Sequence, residues 1–199
     1  MWINGWGDLP GHLVVVSGPS GSGKSTLVRG VVERADLDAE LSVSVTTRRP
    51  RPAEREGVDY WFVDDHQWQA IRNDPGTDGL LEFAEYNEQY YGTPARPVFE
   101  AIAKGKTILL EIEVKGAIQI RERAPTTLFV FVKTPHFADL AERLKARGTE
   151  DPATIHRRLV RARAELAEAH WYDVQVVNDD LDRATEELAA LLLDLKTQG

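Results

Sequence analysis

The chain of 199 residues contains no cysteine, which rules out a disulfide framework and any thiolate-ligated metal site. That fits a cytoplasmic setting. Long apolar runs are missing too. None approaches the length of a membrane span and no charged-then-apolar leader opens the sequence, so neither a span nor a secretory signal is expected. The sequence has no internal repeat and no low-complexity linker. Its five histidines, at positions 12, 66, 136, 156 and 170, show no ligand spacing, and no zinc is expected. Positive charge is in deficit. Lys and Arg number 24 against 32 Asp and Glu, and the net charge of −8 argues against broad nucleic-acid binding. What is present is ordinary for a soluble globular protein, 42% hydrophobic and 28% charged, and long enough for one α/β domain with inserted subdomains.

The basic residues that do occur are clustered. One group is Arg48, Arg49, Arg51 and Arg55; the other is Arg143, Lys145, Arg147, Arg157, Arg158, Arg161 and Arg163. In an acidic protein, local arginine groups suit small phosphorylated ligands better than a long polyanion.

Gly18-Pro19-Ser20-Gly21-Ser22-Gly23-Lys24-Ser25 matches the phosphate-binding pattern G-x-x-x-x-G-K-[ST]. Leu13–Ser17 ahead of it reads as a buried strand, and Thr26 to Ala35 behind it as a helix. In that setting backbone N–H groups turn inward around phosphate oxygens, and the helix N-terminus adds its dipole. Lys24 adds a mobile positive charge, and the Ser25 hydroxyl is placed to reach Mg²⁺. The pattern implies a site for a nucleoside polyphosphate.

Further strands are expected at Ser42–Val45, Thr107–Ile112, Leu128–Val132 and Asp173–Val177, with helical spacing between most of them. Leu181, Thr185, Leu188, Leu192 and Leu195 mark one face of the last helix. The pattern predicts an α/β fold with a parallel five-stranded sheet flanked by helices. Two segments break the alternation: 46–97 reads as a mostly-β insert and 134–156 as a helical lid. The core is then 11–45, 98–133 and 157–199, with residues 1–10 as a short N-terminal arm. Glu111 and Glu113 fall at the end of a core strand and should point the same way, where ligands of open parallel sheets bind. An acidic group there commonly holds Mg²⁺, directly or through water.

Beyond the loop, the segments Ser42–Arg48, Gly57–Tyr60, Leu81–Glu85, Tyr90-Tyr91-Gly92-Thr93, Leu110–Glu113, Glu142–Glu150 and Val177–Leu181 resemble guanylate kinase, in the family order from about Gly11 onward. The resemblance implies a P-loop kinase core, a nucleoside-monophosphate-binding insert and a closing lid. It implies transfer from ATP to GMP with Mg²⁺ present, giving ADP and GDP, with no nucleic acid, membrane or obligate protein partner. Carried over position by position, the loop residues Gly18 to Ser25 with Thr26 would bind ATP, and Arg143 and Asn178 would lie near the adenine. Arg147 and Arg158 would contact the transferring phosphates, and Arg48, Arg51, Tyr60 and Tyr91 would hold the GMP phosphate. Ser44, Glu82 and Thr93 would read the guanine, with Glu111 and Glu113 close by and Ser25 and Glu111 as magnesium ligands. Lys24, Arg48, Arg147 and Arg158 would form the catalytic set.

Guanine offers N1–H and a 2-amino group, so an ionised Glu82 can accept from both, while a Ser44 hydroxyl can donate to O6. The attacking oxygen of GMP is already anionic near neutral pH, so no general base is required; positioning and charge neutralisation suffice.

Three departures from the family pattern stand out: Glu113 replaces the usual Asp, Glu88-Gln89 replaces Gly-Asn, and Asp74–Gly79 forms an added turn. They bear on GMP selectivity rather than on the fold. The rival readings are a guanylate-kinase-like module without catalysis and a P-loop kinase of another phosphorylated acceptor. Lys24, Ser25, Arg48, Arg51 and Arg158 argue against the first, and Ser44, Glu82 and Tyr91 against the second.

Overall fold

A computed structural model describes residues 8–74, 79–86, 88–124, 126–146 and 152–198. In chain order its elements are β1 (His12–Ser17), α1 (Lys24–Val32), β2 (Ala39–Leu41), β3 (Val45–Thr46), β4 (Trp61–Phe62), α2 (Asp65–Arg72), β5 (Leu80–Tyr86), β6 (Gln89–Pro94), α3 (Ala95–Ile102), β7 (Thr107–Glu111), α4 (Val114–Arg123), β8 (Leu128–Lys133), α5 (Phe137–Ala146), α6 (Pro152–Ala167), β9 (Val174–Val177) and α7 (Leu181–Gln198).

The core sheet is the expected five-stranded parallel one, in the order β2-β7-β1-β8-β9. Its three central strands, β7, β1 and β8, are buried on both faces, which is why they read as largely apolar runs. Leu13 and Val15 of β1 face one way, against Val98, Ile102, Ala117 and Ile120 of α3 and α4. Val14 and Val16 face the other, against Leu27, Val28 and Val31 of α1 and Leu188 and Leu192 of α7. On α7 the buried stripe runs through Ala184, Leu188 and Leu192, while Leu181 is 40% exposed on the first turn.

From β1 the chain crosses to β2 at one edge, later fills the gap with β7, and then adds β8 on the other side of β1, so the strand order reverses at the carboxyl end of β1. That crevice is where such sheets bind ligands. Helix α1 starts at Lys24, two residues ahead of the expected start, which puts Lys24 and Ser25 in its first turn.

The expected strand over Ser42–Val45 is a correction. The core strand is Ala39–Leu41, and Val45 begins β3 of a second sheet. Ser42 N–H still donates to Leu109 O at 2.9 Å, after which the chain departs. This second sheet is mixed, in the order β4-β3-β6-β5, with β3 and β4 parallel and the other pairs antiparallel. Trp68 of α2 is fully buried beneath it, stacked on Tyr90 with ring centroids 5.3 Å apart. Helix α2 is oriented by a capping box: Asp64 Oδ1 accepts from Gln67 N–H at 2.7 Å, and Gln67 Oε1 accepts from Asp64 N–H at 2.9 Å.

Helices α5 and α6 pack on each other through Leu140, Leu144 and Ala162. Helix α6 is continuous from Pro152 to Ala167, so position 157 lies inside one element. The segment Arg147-Gly148-Thr149, most of the added turn near Asp74, and residues 1–7 of the arm lie outside the described residues. Among the described residues, no helix is long and apolar enough to cross a membrane.

Candidate active site

The glycine-rich loop runs from the end of β1 into α1, and its outer side is fixed by two later elements. Asn178, just beyond β9, donates from Nδ2 to Ser22 O at 2.8 Å, and Arg143 of α5 donates from Nη2 to Asn178 O at 3.1 Å. Gly23 is needed there. Its φ is +87°, and a Cβ would stand 2.2 Å from Asn178 Nδ2.

On the inner side, Glu111 ends β7 directly opposite the helix start. Ser25 Oγ donates to Glu111 Oε1 at 2.5 Å, and Lys24 Nζ lies 3.8 Å from the same oxygen. Two hard oxygens thus meet beside a cation, an arrangement that phosphate and a divalent ion can enter by exchanging partners.

The opposite wall comes from the second sheet. Glu82 of β5 is 4% exposed and accepts from Thr93 Oγ1 at 2.7 Å. Burial pushes its carboxyl up to about 7, the nearby Glu113 adds to the effect, and the Thr93 hydrogen bond and Arg123 oppose it. The room for Glu82 is made by Gly116 of α4, where a Cβ would stand 2.3 Å from Glu82 Oε2. Helix α4 also fastens strand β5. Arg123 Nη1 donates to Leu81 O at 2.7 Å, and Gln119 Nε2 to Phe83 O at 2.8 Å.

The Thr46-Thr47-Arg48 segment is stitched to Tyr90 by three hydrogen bonds: Thr46 Oγ1 to Tyr90 O at 2.9 Å, Thr47 N–H to Tyr90 O at 3.1 Å, and Tyr90 N–H to Thr47 Oγ1 at 2.9 Å. Tyr60 and Tyr91 then meet edge to face, with centroids 6.0 Å apart. Burial raises the Tyr60 hydroxyl above its ordinary value, so it stays a neutral donor.

The two walls enclose a cleft of about 360 Å³. It brings together most of the expected residues: Gly18, Ser20, Lys24 and Ser25 of the loop, Ser44, Arg51, Tyr60, Glu82 and Tyr91 from the stretch between β2 and α3, and Glu111, Glu113 and Arg158. Others are nearby but do not line it. Thr93 is buried behind Glu82. Arg48 lies behind Tyr91, donating from Nε to its hydroxyl at 3.2 Å and from Nη2 to Glu54 Oε1 at 2.8 Å. Arg143 and Asn178 meet on the far side of the loop, and Arg147 lies outside the described residues.

Three further residues belong to the site beyond those given roles from sequence, where Arg161 figures only as a member of an arginine group. Glu54 pairs with Arg48, whose hydrogen bond holds its carboxyl below the usual range, and accepts from Arg51 N–H at 2.8 Å. Arg161 and Glu165 line the cleft beside Arg158. Burial raises the Glu165 carboxyl above its ordinary value, helped by Glu113 and opposed by Arg161 and Lys24. The spacing of Arg158, Arg161 and Glu165 could have revealed their shared helix stripe. Glu54 carried no comparable signal.

A glycine-rich loop at the switch point of a parallel sheet, a lysine and serine opening the next helix, and an acidic strand end facing them define a P-loop phosphotransferase. The second wall, with its buried carboxylate and paired tyrosines, narrows the class to one with an acceptor pocket of its own. The family model described as guanylate kinase matches residues 11–195. Similar proteins include the guanylate kinase of Gloeobacter violaceus, 47% identical over 195 residues, covering 94% of this chain and 92% of that protein. That of Latilactobacillus sakei subsp. sakei is 43% identical over 183 residues, covering 92% and 88%. The crystal structure of guanylate kinase from Anaplasma phagocytophilum superposes with a TM-score of 0.76 at 28% identity, covering 94% of this chain and 86% of that one. The chain belongs to the guanylate kinase family.

Proposed function

We infer that the protein is an ATP:GMP phosphotransferase: it moves the γ-phosphoryl group of ATP to GMP, or dGMP, giving ADP and GDP in purine nucleotide metabolism. One observation carries the reading. The phosphate loop and the buried Glu82 face each other across a single cleft, so a donor phosphate and a purine-bearing acceptor can meet there.

The roles follow from chemistry. Loop amides from Gly18 to Ser25 hold the ATP phosphates with Lys24, Thr26 continues the helix start, and Arg143 and Asn178 support the adenine end. Glu82, accepting from Thr93, keeps its second oxygen for guanine, and Ser44 stands on the same wall to donate to O6. Arg51, Tyr60 and Tyr91 hold the GMP phosphate. Arg48 works through Tyr91 and Glu54, and its fork becomes available to phosphate if Glu54 gives it up. Arg158, with Arg147, neutralises the group in flight. The attacking oxygen needs no base, so the residues act by aligning two polyanions and keeping water out.

Ser25 and Glu111 fit Mg²⁺, because both offer oxygen and already share one hydrogen bond of 2.5 Å. Among the described residues, no group of three or more His, Cys, Asp or Glu is placed to hold a metal. An ion held by these two would complete its shell with phosphate oxygens and water. When bound, it neutralises charge on the phosphate oxygens. We assign residues 46–97 as the GMP-binding insert, 134–156 as the lid and the remainder from residue 11 as the core. The cysteine-free composition supports a cytoplasmic enzyme.

A coupled ADP-release assay over GMP, dGMP, AMP, CMP and UMP tests the reading, with Lys24→Ala as control. GMP should lead AMP by at least about a hundredfold, since AMP lacks the N1–H donor that Glu82 requires. Equal turnover of AMP, or full activity in Lys24→Ala, would overturn it.

A further inference from the structure

Helix α6 carries Arg158, Arg161 and Glu165 along one stripe of the cleft wall. Phosphoryl transfer uses only the first. Arg161 does something different: its Nη2 donates to Glu113 Oε2, and its Nε donates to Glu165 Oε1 at 3.2 Å. Glu113 is the cap residue of α4, and Gly116 N–H donates back to Glu113 O at 3.0 Å. That same Gly116 is where Glu82 is accommodated. One helix turn therefore carries Glu113 and makes room for Glu82, and both line the cleft.

A glutamate at 113 has three side-chain torsions to restrain, and its side chain is 45% exposed. Three more carboxylates, Glu82, Glu111 and Glu165, stand in the same cleft and repel it toward solvent. A guanidinium fork between Glu113 and Glu165 counters both effects, because it is planar, permanently charged and shared between the two acids.

We propose that Arg161 is a positioning residue for guanine selection, holding Oε2 of Glu113 so that Oε1 is left to accept from the 2-amino group beside Glu82. The inference rests on the guanylate kinase reading and on Glu113 as a guanine contact. It assigns Arg161 no contact with the base and no part in the phosphoryl step.

Inosine monophosphate separates the possibilities, because it keeps N1–H and O6 but lacks the 2-amino group. The ratio of kcat/KM for GMP over inosine monophosphate is measured in the wild type, Arg161→Ala, Arg161→Lys, Glu113→Ala and the Arg161→Ala/Glu113→Ala double variant. Arg161→Ala should lower the ratio about five- to tenfold, the effect of loosening one charged hydrogen bond. Glu113→Ala should lower it at least as far, the double variant no further, and Arg161→Lys should recover part. Equal losses for both acceptors in Arg161→Ala, as a purely structural or phosphate-binding role would give, overturn the proposal. An unchanged ratio in Glu113→Ala removes Glu113 as a guanine contact, and the proposal with it. The guanylate kinase reading is judged separately, by wild-type preference for GMP over AMP.

Discussion

Replacing Glu82 by glutamine separates what this carboxylate does for GMP from what it does to the fold. Its carboxyl titrates near 4.5 in an unfolded chain and is pushed up to about 7 in the folded protein, mainly by burial. A raised acid binds its proton more tightly when folded. Its ionisation therefore lowers stability as pH rises from 4.5 toward 7, and the full penalty is present above 7. The gap between those values corresponds to roughly 3 kcal/mol. Glutamine keeps an oxygen to accept from Thr93, which donates at 2.7 Å, and removes the charge. The variant should thus be more stable than wild type at pH 8 by up to about 3 kcal/mol, with the difference closing by pH 4.5. Urea unfolding of both proteins across that range measures it directly. Function should move the other way. The amide NH₂ would face a guanine donor, and KM for GMP should rise at least about a hundredfold. A variant no more stable at pH 8 than at pH 5, relative to wild type, would refute the assignment of Glu82 as a strained buried acid.

Other perturbations test the supports of the site. Gly116→Ala places a Cβ 2.3 Å from Glu82 Oε2, and the pinned carboxylate must move. KM for GMP should rise about tenfold or more while KM for ATP holds, read by steady-state kinetics. Glu54→Gln strips the charge that Arg48 pairs with at 2.8 Å, both side chains being largely covered. Thermal unfolding should show a loss of about 1–2 kcal/mol, and GMP binding by calorimetry should weaken as Tyr91 loses its anchored arginine. Glu88 sits at φ +60°, where a side chain is strained. Glu88→Gly should stabilise by about 0.5–1 kcal/mol in chemical denaturation.

What could be read from sequence was whatever neighbouring residues settle between themselves. The path of the phosphate loop is set by β1, its glycines and the first turn of α1, all close in sequence, although Asn178 and Arg143 brace its outer side from afar. Ser42–Val45 failed because its pairing is remote. Val45 lies beside Trp61 and Gly92, and no local pattern says that the chain has changed sheets after Ser42. The cations failed in a related way. The arginine cluster around Arg48 is readable as a group, yet Arg48 rests on Glu54, and Arg161 reaches Glu113 across 48 positions. These pairings share one physical cause. A cleft built to take two polyanions must hold its cations close together beforehand, and like charges so placed repel unless acids stand among them. Lys24 beside Glu111 and Arg161 with Glu113 and Glu165 are two such arrangements in the cleft, and Arg48 with Glu54 is a third just behind it. Each is partly open to water, so a phosphate or a divalent ion can exchange for one partner without leaving a buried charge bare. The cleft's acids therefore do two jobs. They keep the arginines and the lysine in place before substrate arrives, and on the proposed reading Glu111 and Glu113 then turn to metal and guanine.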